Sequence, residues 1–153
     1  MKLTLTNSSI EDIKNEVLCI PVYKENENNE LSFVNKSLDN LVNNLIDKKQ
    51  VSYKIASFTN IYSLSKLNVN QVVLYGMGSK LAINYEKIRY ITGELSRYLN
   101  SLKIENASII LPGENIDNLE FSSTVDAVAQ GFLLGSYKYD KYKSVKTTNT
   151  LTK

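Results

Sequence analysis

The 153-residue sequence contains no histidine. That absence removes Ser-His-Asp triads, Cys-His dyads and every metal site that needs an imidazole ligand. Cysteine is nearly as scarce. Cys19 stands alone, so no intrachain disulfide can form and no Cys-x-x-Cys cluster exists. No apolar run approaches the roughly 18 residues of a membrane-spanning helix, and the opening MKLTLTNSS is too short and polar for the apolar core of a secretory signal. A single thiol without such a signal fits a reducing compartment. The expectation is a soluble cytoplasmic domain with no membrane partner.

What is present suits one ordinary domain. Apolar residues make up 42% of the chain, enough for a sizeable core, and charged residues 22%. The formal charge of +2 is unevenly spread. Five lysines (Lys138, Lys141, Lys143, Lys146 and Lys153) face only Asp140 in residues 137–153. Of the 18 basic and 16 acidic groups, 13 and 15 are then left for the rest of the chain. The isoelectric point near 8.5 therefore reflects the tail. An acidic body argues against a dedicated nucleic-acid binder.

Residues 2–6 alternate Leu3 and Leu5 with polar neighbours, a half-buried strand pattern. Ser9 and Asp12 stand at capping-box spacing before Ile10 and Ile13. Residues 17–20 form a continuous apolar run that ends at Pro21, suited to a strand covered on both faces. Residues 24–30 (KENENNE) read as a surface loop. From Asn35, Leu38, Leu41, Val42, Leu45 and Ile46 share one helical face, with Lys48 and Lys49 at its end. Residues 53–58 and 61–67 predict a pair of strands split at Thr59-Asn60.

Residues 72–75 give the strongest strand signal, broken by Gly76-Met77-Gly78. Asn84 then caps a helix striped by Ile88, Ile91, Leu95, Tyr98, Leu99 and Leu102. Residues 107–111 predict a second central strand, stopped by Pro112-Gly113. A last helix starts near Ser123, with Asp126 at the capping-box position and a stripe of Val125, Val128, Ala129, Phe132 and Leu133. Gly131 and Gly135, four apart, predict close approach of a neighbour. Strands alternating with helices predict an α/β/α sandwich around a mixed, largely parallel sheet. Its bounds are residues 1–140, with a linker at 141–153.

Gly76-x-Gly78, between strand and helix, lies where α/β proteins bind phosphates. The third glycine of the dinucleotide fingerprint is replaced by Leu81, and Ser79-Lys80 is out of register for a P-loop. A tight structural turn is the preferred reading. Tyr137/Lys141 and Tyr139/Lys143 match Tyr-x-x-x-Lys but lack the glycine motif that this chemistry requires. The same stretch interleaves aromatics and cations as single-strand binders do, although a helix end and linker explain it more simply. Glu114, Asp117 and Glu120 lack the spacing of a calcium loop. Cys19, inside an apolar run, reads as a buried inert thiol. No catalytic, cofactor-binding or metal-ligating residue is assigned.

One segment carries a family resemblance. Residues 133–144 (LLGSYKYDKYKS) resemble, position by position, the stretch that joins the N-terminal and catalytic domains of cytosol (leucyl) aminopeptidases. Gln130 stands where that pattern has Glu. Residues 72–78 (VVLYGMG) are similar to the family's strand ending in V-G-L-G, so the specific resemblance covers the second half of the chain. It implies a macro-domain-like fold and a parent that releases N-terminal amino acids, using two divalent metals (zinc or manganese), as a homohexamer. The family's N-T-D-A-E-G-R-L motif is absent here. The expectation is a non-catalytic N-terminal domain whose partner is the C-terminal catalytic domain of the same chain. Two other readings remain: a macro-like module for a nucleotide or ADP-ribose, and a nucleic-acid contact through the Tyr/Lys stretch.

Overall fold

Alternation along β1 (Val17–Tyr23) sorts the core into two halves. Val17, Cys19 and Tyr23 point to one face of the sheet, and Leu18, Ile20 and Val22 to the other. Every residue of β1 is buried, because helices cover both faces. The computed structural model describes residues 1–25, 29–38, 40–63, 65–113 and 116–137. After β1 come α1 (Asn29–Ser37), α2 (Leu41–Asp47), β2 (Phe58–Tyr62), β3 (Gln71–Gly78), α3 (Tyr85–Ser101), β4 (Ala107–Ile109) and α4 (Phe121–Ser136). The strand order is β2-β3-β1-β4. β1 is parallel to β3 and β4, and β2 runs antiparallel to β3. Helices α3 and α4 pack on the Cys19 face, while α1 and Val42 of α2 pack on the Leu18 face. This is the expected α/β/α sandwich with a mixed, largely parallel sheet.

Several local expectations are corrected. Residues 2–6 form no strand, and Leu3 and Leu5 are exposed. The Ser9 hydroxyl hydrogen-bonds the Asp12 carboxylate at 2.7 Å, but the helix there is a single 3₁₀ turn. β1 does not end at Pro21. The carbonyl of Cys19 accepts from Ile110 on the β4 side at 2.9 Å, so by alternation the missing Pro21 donor faces the same way, beyond the last paired residue of β4. The predicted loop at 24–30 is shortened, because α1 begins at Asn29. The single helix expected from Asn35 is two, broken at Asn40, whose φ of 62° is left-handed. The Asn35 side chain holds that break by accepting from the Asn43 backbone amide (2.9 Å) and donating to the Asn40 side-chain Oδ1 (3.1 Å).

The strand pair expected at 53–58 and 61–67 is one strand, β2, with Thr59 and Asn60 inside it. Residues 107–111 were expected at the centre of the sheet. β4 instead pairs only with β1 and is three residues long, with no strand on its other side among the described residues. Its apolar run reports coverage by the layers above and below: Ala107, Ile109 and Leu111 join one half of the core and Ile110 the other. A continuous run reveals faces, not lateral neighbours.

α3 follows its sequence reading closely. The Asn84 side chain accepts from the Lys87 amide at 2.9 Å, and Ile88, Ile91, Leu95 and Leu99 are buried while Leu102 is exposed. α4 starts earlier than expected, at Phe121, which leaves Ser123 inside the helix rather than capping it. Its buried face is Thr124, Ala127, Val128, Gly131, Phe132 and Gly135, and Leu133 is exposed. The close approach at Gly131 and Gly135 holds. A methyl group on Gly135 would meet the Gly93 carbonyl and the Ser96 Cβ, and one on Gly131 the Thr92 hydroxyl and the Arg89 carbonyl. The linker reading at 141–153 lies outside the described residues.

Candidate functional site

In open α/β sheets, ligands collect at the carboxyl ends of the strands. Here that end holds Tyr23, Gly76-Met77-Gly78 and Pro112-Gly113. Gly76 and Gly78 lie within β3 rather than in a turn after it, and Met77 is fully buried. The Gly76 amide donates to the Ser57 carbonyl at 2.8 Å, and the Gly78 amide to the Tyr53 carbonyl at 2.8 Å. Neither amide is left to cradle a phosphate. A Cβ at Gly76 would strike the Lys54 carbonyl and the Ser57 hydroxyl. The glycines therefore admit the backbone of residues 53–57, and Gly78 also turns the chain with a φ of 78°.

The groups just beyond the strands are also occupied. The Glu25 carboxylate accepts from the Ser79 hydroxyl at 2.7 Å and from the Lys80 amide at 3.1 Å. The Ser79 hydrogen bond, then the Lys80 amide, hold the Glu25 carboxyl below the usual carboxylate range. The Lys80 ammonium lies 5.4 Å from the centre of the Tyr23 ring. The Tyr23 hydroxyl in turn accepts from the Gly113 amide at 3.0 Å. Two donors that could meet an anion are thus met by this chain's own carboxylate, and a third by its own phenol. Among the described residues, these donors at the strand ends are satisfied within the chain rather than left for a phosphate.

The other residues weighed in the sequence come together in no metal-holding group among the described residues. Asp117 and Glu120 are exposed, and Glu120 leads into α4. Glu114 and residues 138–153, with the remaining Tyr/Lys positions, lie outside the described residues. Cys19 is fully buried, and burial pushes its thiol well above the ordinary range, which leaves it protonated. Among the described residues no group of three His, Cys, Asp or Glu side chains comes together to hold a metal ion. Among them, too, no helix is long and apolar enough to cross a membrane. A cavity of about 180 Å³ opens near the start of β1, bordered by Ile10, Leu18, Phe33 and Val69, with Glu11 and Lys66 at its margin. Sequence reasoning missed Glu25, Tyr23 and residues 53–57 as the closing groups. Only the paired glycines signalled that backbone would come close.

Residues 19–146 match the model of the cytosol aminopeptidase family, N-terminal domain. The chain belongs to this family. A probable cytosol aminopeptidase of Clostridium perfringens (strain 13 / Type A) is 30% identical over 131 residues, covering 86% of this chain and 25% of the relative. A probable cytosol aminopeptidase of Sulfurihydrogenibium sp. (strain YO3AOP1) is 24% identical over 148 residues, 95% of this chain and 29% of the relative. The chain thus spans less than a third of the length of these relatives. A mutant of tomato leucine aminopeptidase superposes with a TM-score of 0.78 at 18% identity, over 95% of this chain and 30% of that one. The macrodomain of Mycobacterium tuberculosis DarG superposes with a TM-score of 0.67 at 12% identity, over 85% and 89%. This aminopeptidase N-terminal domain therefore has a macrodomain-like fold.

Proposed function

We propose that this chain serves a longer metallo-aminopeptidase as a non-catalytic domain, acting in assembly and in access to an active site carried further along the polypeptide. The family match over residues 19–146, in a chain less than a third as long as its relatives, carries this reading. Residues 1–140 are the domain and 141–153 the connection to the catalytic part. The parent removes N-terminal residues such as leucine from peptides, a reading supported by relatives described as probable cytosol aminopeptidases. It works in the cytoplasm as a homohexamer. The location is supported by relatives described as cytosol aminopeptidases.

Two-metal hydrolysis needs ligands that hold both ions about 3.5–4 Å apart, to activate water and stabilise the leaving group. Among the described residues no three His, Cys, Asp or Glu side chains come together, so those residues do not fit that demand. The zinc or manganese pair belongs to the catalytic part. Occupied donors at the strand ends speak against a nucleotide module, and the macrodomain likeness, at 12% identity, bears on fold alone.

Leucine amide hydrolysis by the purified 153-residue chain and by the full-length polypeptide, with zinc or manganese added, tests this reading. Turnover is expected from the full-length protein only. Activity of the short chain that survives repurification, disappears with chelator and returns with metal would overturn it.

A further inference from the structure

The cavity of about 180 Å³ lies at the opposite end of the sheet from the glycines and Glu25. Leu18 stands at the start of β1, and Val69 leads into β3, which runs parallel to it. Both are buried, and Ile10, Ile13 and Phe33, half-buried, add to an apolar lining. Glu11 and Lys66, both exposed, border the same space. Their two segments are tied together where the Asn68 side-chain amide donates to the Glu11 carbonyl at 2.8 Å. A carboxylate and an ammonium are therefore brought to one apolar opening from different parts of the chain. Close packing leaves few spaces larger than a water molecule inside a protein. An apolar cavity of about 150 Å³ accepts benzene, so this one has room for a body of about five or six carbons.

We propose that this cavity binds a free α-amino acid with an apolar side chain of about leucine size. The apolar lining receives the side chain, Glu11 meets the ammonium, and the long stem of Lys66 carries its charge to the carboxylate. A carboxylic acid without the amine would place its charge beside Glu11, and an amine without the carboxylate beside Lys66. An α-amino acid matches both from a single carbon. In a peptide the two charges are separated by the intervening residues and no longer meet one opening. Burial of the side chain supplies most of the affinity, about fourfold for each methylene. The charges sit on exposed residues and add selectivity, about two- to fivefold each. Binding of this kind does not depend on the aminopeptidase reading. Where that reading holds, the ligand belongs to the class of molecule that the parent releases, and the site answers to product.

Amide chemical shifts of the 153-residue chain test the proposal, in titrations with L-leucine, glycine, 3-methylbutylamine and 4-methylpentanoate. Leucine should shift residues 10–13 and 65–69 saturably, with a dissociation constant on the order of 1 mM. Glycine, without the apolar body, should bind at least about tenfold more weakly. The amine and the acid should each bind about two- to fivefold more weakly than leucine. Glu11→Gln should weaken leucine and leave 4-methylpentanoate no weaker, and Lys66→Gln should do the same for leucine and the amine. Ser37→Leu, at the end of α1, fills part of the cavity and should abolish the response to leucine. If that variant fails to fold, the two charge variants, at exposed positions, still decide. No saturable shift, shifts centred elsewhere in the chain, glycine or the analogues matching leucine, or indifference to either charge variant would each overturn the proposal. None of these readouts involves hydrolysis, so the aminopeptidase reading stands or falls separately.

Discussion

α3 and α4 lie side by side on one face of the sheet, are nearly equal in length, and were not equally legible. In α3 the large apolar residues are the buried ones, its N-cap is an asparagine, and charges fill the outer face. Pattern and packing agree. In α4 the buried face is built largely from Thr124, Ala127, Gly131 and Gly135, whose small size lets the two backbones approach. Leu133 and Leu134 point outward. The stripe expected through Val125, Val128, Ala129, Phe132 and Leu133 therefore holds at Val128 and Phe132, fails at Leu133 and misses the small residues at the contact. Hydrophobicity locates a helix's core face only when that face also needs volume, and here contact is made by removing volume.

The comparison can be broken first at Phe132, the one large side chain that α4 buries completely in the core. Phe132→Ala should cost about 3–5 kcal/mol, whereas Leu134→Ala should stay within about 0.5 kcal/mol in the 153-residue chain. Urea denaturation midpoints of the two variants check this. Similar losses would mean that α4 is rotated from the orientation described.

Next comes the crossing itself. Gly135→Ala gains up to about 1 kcal/mol of helix propensity, but its methyl meets the Gly93 carbonyl and the Ser96 Cβ. Backbone cannot yield as a side-chain tip can, so the clash should win, with a net loss of about 1–3 kcal/mol. An unchanged thermal midpoint would show that the helices can separate freely. Gly131 and Gly135 were legible in the sequence as a close approach; which helix approached was not, because Gly93, Thr92 and Ser96 carry no sign of partnership.

The sheet shows the same division. Residues 72–75 announced a central strand, and residues 17–20 a strand covered on both faces. Residues 107–111 gave the same signal and form an edge, since coverage by helices does not depend on a second neighbouring strand. Residues 2–6 had the alternation of a strand but no paired edge among the described residues. At the candidate site, Gly76 and Gly78 marked close backbone contact. Glu25, in a run of polar residues, gave no hint that it would occupy the donors beyond them.

A smaller effect is expected at the lead-in to α3. The Glu25 carboxyl is held below its ordinary value of about 4.3 by Ser79 and Lys80. Its contribution is present above the unfolded value and is lost as pH falls through the lower, folded one. Because Glu25 is exposed, the effect is modest. Glu25→Gln should therefore lower stability slightly at neutral pH, converge with the parent protein in acid and so flatten the acid limb. A steeper acid limb in the variant would mean that Glu25 is not the group held in that position.

The central claim is that this domain works through its surface and keeps no ligand site of its own at the carboxyl ends of its strands. Calorimetric titration of the chain with ADP-ribose tests it most directly, because at the carboxyl ends of the strands, where open α/β sheets collect ligands, Ser57, Tyr53, Glu25 and Tyr23 already occupy the donors described. The account predicts no saturable heat. A micromolar dissociation constant with one molecule bound per chain would contradict it.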